Sequence, residues 1–463
     1  MTSSAAMRSL AKPTTARRQP TPRGAASLIV VMLLFFLMAL VAVYTSRNMI
    51  FEQRTSANQY RSSQAFEAAE AGLNWALAQL NGGRIDGACL PTNALTQTSF
   101  RARYIDNIDA QGRMTLKTTT PAGAPAVLLP SCIFDPQVNN WRCDCPYAAA
   151  PNLPTVTAAG QKPMFRVRLE YLPAAPNIPS NVIRIVSAGC SRADAACLAA
   201  NPSAPPGDAI AVLSALVTLR SSLSTVPGAA LTARLGVNGG TGSLGLTNLD
   251  AGTQGMTVLS GGAVSGVGVS VMPFSLPGTP PEESVGAGDD RLAGFRSFAG
   301  FSTGDRMFGA IFGMSPDTYR DQPGAVRLDC AAGCNAATVN TEAARNPGKL
   351  LWLNGDLTVD GNIGAAPTAG ILATSELAAA RPVMIVVTGN VTLSSGTLYG
   401  AVYSRSASWN RGLGSTRVDG ALVAEGEFIG SGSQRVFYEP EILNELRTRS
   451  GTFVRVPGGW RDF

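Results

Sequence analysis

The stretch from Arg23 to Leu80 constrains the fold of this 463-residue chain more than any other part of it. An uncharged apolar run of 22 residues, Ala25 to Ser46, follows a basic leader, and Gly72 is the single glycine between Ala25 and Leu80. A helix rises about 1.5 Å per residue, so this run is long enough to span the ~30 Å hydrocarbon core of a bilayer. Because no proline interrupts the stretch, the sequence predicts one continuous helix.

The second half of this helix is one-sided. Its apolar residues recur at spacings of three and four, which places them on a stripe that needs a partner surface. They are Phe66, Ala69, Leu73, Leu77 and Leu80. Asn81-Gly82-Gly83 then ends the helix. We therefore expect a membrane half, an amphipathic half and a globular head that rests on the amphipathic half.

Two simpler interpretations compete with this one. A secretory signal peptide has a similar charge order, but its apolar region is usually about 7 to 15 residues long and ends at an A-x-A-like site. The end of the apolar run in this sequence, Val43-Tyr44-Thr45-Ser46, does not resemble that site. A plain single-pass anchor explains the apolar run, but it requires neither Gly24 nor the alanine-rich continuation.

Most of the excess positive charge lies in the leader. Residues 1–24 hold five of the 37 basic residues and none of the 31 acidic ones, so the rest of the chain is nearly neutral. We therefore infer no nucleic-acid partner from the high pI. The positive-inside rule places the leader in the cytoplasm and everything beyond Ser46 outside the inner membrane.

The cysteines favour disulfide bonds. An even number in an extracytoplasmic chain is typical of disulfides. They are Cys89, Cys132, Cys143, Cys145, Cys190, Cys197, Cys330 and Cys334. Two pairs would close short loops, namely Cys190 with Cys197 and Cys330 with Cys334. Cys143 and Cys145 are expected to reach Cys89 and Cys132, in either order. A zinc site of the same four sulfurs is the alternative, but it lacks a histidine and a compact ligand pair.

Histidine is absent from the whole chain. This removes Ser-His-Asp and Cys-His nucleophile systems, histidine metal ligation and imidazole acid–base chemistry. No convincing pair of catalytic carboxylates occurs either. We therefore expect no catalytic residues and no enzyme activity.

The head begins as a loop region rich in Pro, Ala and Thr, from Gly82 to about Pro163. Three strand candidates follow, at Met164–Leu172, Asn181–Ala188 and Ala209–Arg220. We expect them to form an antiparallel sheet whose apolar face packs on the stripe of the helix.

Beyond Arg220 the sequence is rich in glycine and repeats itself. Gly355-Asp356-Leu357-Thr358-Val359 recurs as Gly389-Asn390-Val391-Thr392-Leu393, and Val418 to Val423 is a weaker third copy. The glycines of the three copies, Gly355, Gly389 and Gly420, are 34 and 31 residues apart. Short strands at a near-fixed period suggest a β-solenoid, with an irregular β-sandwich as the alternative. Gly236 to Val271 has a similar composition but is less regular.

A helical insertion is predicted at about 289–325. Met307, Phe308, Ile311 and Phe312 fall on one helical face, and Gly313 ends the helix. We interpret this face as core, with a partner-binding face as the alternative.

Two motifs do not carry chemistry on their own. Gly240 to Gly245 matches G-x-G-x-x-G, but no helix pattern follows it, so we reject a dinucleotide site. Asp356, Asp360 and Asn362 could hold calcium, although they are also ordinary turn formers. We expect no cofactor, with calcium as the alternative.

Three segments together resemble the PilX family of type IV pilus minor pilins. They are RGAASLIV at Arg23–Val30, QAFEAAEAG at Gln64–Gly72 and VPGGWRDF at Val456–Phe463. The resemblance covers about 60 N-terminal residues and a short C-terminal one, and the head is much longer than in a typical pilin. It implies cleavage by prepilin peptidase after Gly24 and methylation of Ala25.

The resemblance also implies a function. The residues of the membrane and assembly helix would be Ala25, Leu28, Ile29, Leu33, Phe36 and Leu40. The expected partners are other minor pilins, the major pilin, the inner-membrane assembly machinery and a large tip adhesin. The subunit would wait in the inner membrane with its head in the periplasm, then join the complex that starts the fibre and stays at its tip. Major pilins carry a glutamate at mature position five, which here is Ile29.

The predicted fold class is α+β, with a long pilin helix packed on an antiparallel sheet and a large glycine-rich β-solenoid-like or irregular β region. The predicted domains are a leader at 1–24, the helix at 25–81, a disulfide-stapled head at 82–222 and the glycine-rich region at 223–463. Two alternatives to the minor pilin stay open. One is a pilus-displayed or membrane-anchored adhesin, and the other is a type II secretion pseudopilin.

Overall fold

The computed structural model describes residues 23–108, 113–117, 128–146, 153–157, 162–172, 181–199, 201–203, 205, 207–293, 303–367, 381–410 and 414–462. The predicted leader lies outside the described residues up to position 22, as does Phe463. The chain forms two compact units, one ending at Tyr60 and the other beginning at Arg61.

The helices are α1 (Arg23–Leu80), α2 (Phe100–Tyr104), α3 (Asp290–Ala293), α4 (Thr303–Phe312), α5 (Pro316–Arg320), α6 (Ala336–Arg345) and α7 (Pro440–Arg449). The first strands are β1 (Ile105–Ile108), β2 (Met114–Leu116), β3 (Ser131–Asp135), β4 (Asn140–Asp144), β5 (Met164–Tyr171), β6 (Val182–Cys190) and β7 (Ile210–Ser221). Short strands follow as β8 (Leu231–Ala233), β9 (Val237–Asn238), β10 (Leu244–Thr247), β11 (Val258–Ser260), β12 (Val264–Ser265), β13 (Val271–Phe274) and β14 (Val285–Gly286). The last strands are β15 (Ala325–Asn335), β16 (Leu350–Asp360), β17 (Val383–Val387), β18 (Val391–Ser395), β19 (Thr397–Ser404), β20 (Ser408–Asn410), β21 (Arg417–Ala424), β22 (Glu427–Ile429), β23 (Arg435–Phe437) and β24 (Gly451–Asp462).

The head contains a six-stranded antiparallel sheet in the order β24-β7-β6-β5-β3-β4. Its centre is formed by the three strands that the sequence predicts, here β5, β6 and β7. Alternate side chains of these strands, such as Phe165, Ile185 and Val217, are buried in one cluster with Leu73 and Leu80 of α1. The predicted α+β class, with a long N-terminal helix and an antiparallel sheet, is confirmed.

The outermost strand of this sheet comes from the far end of the chain. β24 pairs with β7 in antiparallel register, with Phe453 opposite Leu219 and Trp460 opposite Ala215. The sequence assigned these residues to the glycine-rich region instead. The pairing joins segments more than 200 residues apart, and no local pattern in the sequence reports such a contact.

The first part of the glycine-rich region repeats every 27 residues. β11 stacks in parallel on β8 with Leu231 opposite Val258, and β13 stacks on β10 with Leu244 opposite Val271. β12 stacks on β9 with the same offset. This repeat is hard to see in the sequence, because its strands are only two to four residues long and glycines surround them.

The second part is a longer parallel ladder, β15-β16-β17-β19-β21. The first two predicted copies stack in register, with Leu357 opposite Val391 and Val359 opposite Leu393. The third copy is wrongly placed, because β21 pairs with β19 and puts Gly420 opposite Gly400. In the structure Gly420 therefore corresponds to Gly400 and not to Gly389. Both glycines have a φ near +140°, which residues with a side chain rarely adopt.

The two parts meet in the middle of the stack. β21, β22 and β23 pair in parallel with β8, β9 and β10. Leu422 therefore lies opposite Leu231, although the chain between them first runs out to β14 and then returns to β15. Stacked parallel strands are typical of β-solenoids, and a regular solenoid stays a prediction for this region.

Helix α4 belongs to the core of this second region. Met307, Phe308 and Phe312 are buried, and Gly313 follows the helix at a φ of 74°. Phe308 lies within 6 Å of the rings of Phe312, Tyr319, Trp352 and Tyr403. The aromatic face therefore packs inside the molecule and is not a partner-binding surface.

Candidate functional site

The apolar half of α1 is the first part of the candidate site. Its side chains from Leu28 to Val43 are exposed, and the predicted assembly residues Leu28, Ile29, Leu33, Phe36 and Leu40 are each more than half exposed. Among the described residues, α1 is the helix long and apolar enough to cross a membrane by length and composition. Gly24 and Ala25 lie in its first turn, and their side chains are outside the described set.

The polar residues that close the apolar run satisfy themselves within the helix. The Thr45 hydroxyl donates to the carbonyl of Val41 at 2.9 Å, and the Ser46 hydroxyl donates to that of Val43 at 3.0 Å. Such back-bonding hides a hydroxyl from an apolar solvent. The helix can therefore keep these two residues at the edge of a hydrocarbon layer.

The amphipathic half packs on the head through small residues. Ala65, Ala68, Ala69, Leu73, Ala76 and Leu80 are buried, and Leu77 is partly buried against the same cluster. The prediction that Phe66 lies on this face is wrong, since the Phe66 side chain is 39% exposed while Ala65 is fully buried. The reason is steric, because the helix lies too close to the sheet for a phenylalanine ring to fit beneath it.

Two glycines set this close approach. A Cβ atom on Gly189 of β6 would lie 2.2 Å from the Ala65 carbonyl oxygen and 2.3 Å from the Ala69 nitrogen. A Cβ atom on Gly72 of α1 would lie 2.2 Å from the Ser187 hydroxyl oxygen. The helix backbone therefore rests directly on β6, and the single glycine of the long helix has a packing role.

An aromatic cluster holds the other side of the helix. The Trp75 ring lies 5.5 Å from the Phe100 ring, edge to face, and 5.6 Å from the Phe165 ring. Pairs at these distances contribute about 0.5 to 1.5 kcal/mol each beyond the area that they bury. Trp75 therefore links α1 both to α2 and to β5.

The C-terminal end of α1 is fixed to the last strand of the chain. The Asn81 amide donates to the Phe453 carbonyl at 2.9 Å, and the Phe453 N–H donates to the Asn81 side-chain oxygen at 2.7 Å. Arg455 donates to the Asn74 side chain at 2.7 Å. Residues that follow the N-terminal PilX-like segments are thus hydrogen-bonded to residues that directly precede the C-terminal one.

Buried arginines complete this junction, and the sequence analysis missed them. Arg101 donates to the Leu80 carbonyl at the end of α1, and also to the Gly451 carbonyl of β24. Arg103 donates to the carbonyls of Ile85, Asp86 and Cys145. A guanidinium has five donors in a rigid fork, which suits it to join several carbonyls. Nothing in the FRARY segment distinguishes these arginines from exposed ones.

The eight cysteines form four disulfides, Cys89–Cys145, Cys132–Cys143, Cys190–Cys197 and Cys330–Cys334. The two short loops agree with the prediction, and the structure assigns the order that the sequence left open. Cys132 and Cys143 face each other across β3 and β4. The four sulfur atoms that the zinc alternative requires as thiolates are instead oxidised in two disulfides.

The candidate calcium ligands hold neighbouring turns together. The Asp356 carboxylate accepts from the Asn390 N–H at 2.7 Å, and that of Asp360 accepts from the Ala336 N–H at 3.0 Å. The Asn362 side chain accepts from the Thr397 N–H at 2.9 Å. In the part of the chain that the structure describes, no group of three or more acidic or cysteine side chains is placed to hold a metal ion. Calcium binding stays a prediction.

A long helix with an exposed apolar half and a half seated on an antiparallel sheet is the architecture that the sequence predicts for a type IV pilin subunit. Residues 23–74 match the family model described as PilX N-terminal, so this pilin N-terminus is of the PilX type. The resemblance of the N-terminal segments is confirmed, and that of Val456–Phe463 stays a prediction. The match covers 52 of the 463 residues and supports a type IV pilin role for the chain.

The other comparisons add little. No curated protein matches this chain. Among solved structures, the chain is similar to the competence-associated pilin ComZ from Thermus thermophilus at 12% identity, over 87% of this chain and 98% of that one. The TM-score is 0.18, so no argument about the fold is drawn from it.

Proposed function

We propose that this protein is a minor pilin that joins the complex initiating a type IV pilus and stays at the fibre tip. The observation that carries this proposal is the exposed apolar half of α1 together with the PilX-type match over residues 23–74. An exposed apolar helix is stable in lipid or in the core of a fibre, and in each case its surface is removed from water. The subunit can therefore pass from one environment to the other.

Ile29 supports the tip position. In the major pilins that the resemblance points to, a carboxylate at this position neutralises the N-terminal amine of a neighbouring subunit. Isoleucine has no charge and cannot do this. Ile29 is well exposed on α1 and offers a neighbouring subunit an apolar surface instead of a charge. An amine left unpaired among apolar helices is costly, which favours a position at one end of the fibre.

The proposed partners follow from this position. They are other minor pilins, the major pilin, a large tip adhesin, prepilin peptidase and the inner-membrane assembly machinery, without nucleic acid. The head would lie in the periplasm while α1 anchors the subunit in the inner membrane, and at the cell surface after assembly.

The test combines gene deletion with labelling of sheared pili. Deletion should abolish surface pili, and immunogold particles should mark one end of the fibres in few copies. Complementation with Gly24→Arg should leave an uncleaved precursor and no pili, whereas Ile29→Glu should be tolerated and should allow some incorporation into the shaft. Label spread along the shafts at the level of the major pilin would refute the tip position.

The same deletion separates the alternatives. Normal pili with poor attachment would identify an adhesin, and the large region of parallel strands in the head favours this second candidate. Loss of exported enzymes with normal pili would identify a pseudopilin of type II secretion.

A further inference from the structure

An open cavity of about 550 Å³ lies where the first and second parts of the glycine-rich region meet. Its walls come from β10, β13, β23 and the start of α7 and include Thr247, Leu249, Phe274 and Phe437. Phe274 and Leu249 are 63% and 54% exposed, so the cavity presents two large apolar side chains to solvent side by side. The cavity does not belong to the assembly helix or its seat.

The two phenylalanines form opposite walls. Thr247 lies opposite Phe274 on one side and opposite Phe437 on the other, so the three side chains share one face of the sheet. Neighbouring strands are about 4.8 Å apart, so the rings start about 10 Å from each other with only a threonine between them. This gap accommodates one side chain of a ligand between two aromatic faces.

The polar part of the cavity is acidic. Asp250 and Glu439 line it. The Asp250 carboxylate accepts from the N–H groups of Gly252 and Thr253. The Glu439 carboxylate has no hydrogen-bond or ion-pair partner among the described residues. Burial and the nearby Asp419 raise its pKa, and the opposing effect of Arg417 does not cancel this rise. A carboxylate without a partner beside aromatic rings is a place for a cation.

The charge of the surrounding chain has the same sign. Between Arg234 and Arg291 the sequence holds five acidic residues and no lysine or arginine. Glu441 in the first turn of α7 adds a further carboxylate, which with Glu439 outweighs the partial positive charge of about one half at the helix N-terminus. The cavity therefore attracts positive charge and repels anions.

We propose that this cavity binds an arginine or lysine side chain of a protein partner, with the apolar stem between Phe274 and Phe437 and the charged head on Glu439. The chain itself contains such an arrangement next to the cavity, since the Arg417 guanidinium lies 4.1 Å from the centre of the Phe437 ring and pairs with Asp419. Arg417 does not line the cavity, so this neighbouring pair leaves the site open. The acids of residues 235–290 would favour further basic residues on the same partner.

The test uses the full-length protein in detergent and capped peptides as probes. A peptide of alternating valine and arginine should bind in isothermal titration calorimetry, whereas peptides of valine with glutamate or with serine should not. Glu439→Gln should weaken binding about tenfold through loss of a charge-assisted contact, and Phe274→Ala should weaken it by about the same factor through loss of the ring that packs on the side chain. Glu67→Gln, at an exposed acid of α1 outside both the cavity and residues 235–290, is the matched control and should bind as the unaltered protein does.

The pH dependence gives a second measurement. Asp419, Arg417 and Glu441 face Glu439 from β21 and α7, and Asp250 faces it across the cavity. Affinity for the arginine peptide should fall as the pH drops through the raised pKa of Glu439, because protonation removes its charge, and Glu439→Gln should remove that step. Equal binding of the serine peptide, or equal loss in the Glu67 and Glu439 variants, would overturn the proposal. Free arginine amide binding as tightly as the peptide would overturn the assignment to a protein partner.

Discussion

At the scale of single residues, the close packing of α1 on β6 depends on Gly189, which has no side chain. Gly189→Ala should lower the free energy of unfolding by about 1 to 3 kcal/mol, because the new methyl group would meet backbone atoms of Ala65 and Ala69 that cannot rotate away. Gly87→Ala is the matched control, since nothing lies within 4 Å of its Cβ position. Urea unfolding followed by circular dichroism gives the comparison, and equal stability of the two variants would contradict the close approach.

A buried lysine makes stability depend on pH. Burial, and then the nearby Arg101, lowers the pKa of Lys349 to about 8 from an ordinary 10.5. Below pH 8 the amine is charged in the folded and unfolded states alike, and its burial opposes folding. Above pH 8 the folded form loses its proton first, so the free energy of unfolding should rise by up to about 2 kcal/mol between pH 7 and pH 9.5. Lys349→Met should flatten this part of the curve, and an unchanged slope would refute the assignment.

Single residues also show the limit of sequence analysis. The stripe from Ala69 to Leu80 was predictable from its spacing, but the register at Phe66 was not, because alanine and phenylalanine are both apolar. What selects Ala65 is Gly189 on a strand more than 100 residues away. Arg101 and Arg103 could not be predicted either, since the carbonyls that they bind come from helix ends and loops.

At the scale of elements, the disulfides close loops of very different length. Cys89–Cys145 spans 56 residues, whereas Cys330–Cys334 spans 4. Longer loops restrict the unfolded chain more, so replacing both cysteines of the first pair by serine should cost about 2 kcal/mol more than replacing both of the second. Chemical unfolding of the two double variants measures this difference. Mass mapping without reduction should show four bridges and no free thiol, and a larger loss in the short-loop variant would contradict the loop-length argument.

Elements with a strong local pattern were predictable, and short ones were not. The alternation in β5 and the length of α1 identify both in the sequence. β9 and β12 have two residues each, too few to show a period, and they exist because β22 and β9 offer them a stacked edge. The bounds of the glycine-rich elements therefore depend on contacts and not on propensity.

At the scale of the whole Arg61–Phe463 unit, early and late segments of the chain pair with each other to complete the stack of parallel strands. β8 and β10 have no partner on one side until β21 and β23 arrive, about 190 residues later in the sequence. Pairing between distant segments makes folding slow. Amides of β8 and β21 should therefore gain protection together in pulsed hydrogen exchange during refolding, and later than those of β15 and β16, which adjoin along the chain. Protection of β8 well before β21 would contradict this order.

The position of β24 has a consequence for damaged subunits. The last 46 described residues, 417–462, supply the seam strands of the parallel stack and the outer strand of the antiparallel sheet. A chain cut before β21 therefore loses both closures at once and leaves the edges of β7, β8 and β10 bare, whereas a cut between α7 and β24 bares β7 alone. Unpaired strand edges can pair with other chains and are open to proteases, so a shortened subunit is exposed to aggregation and degradation.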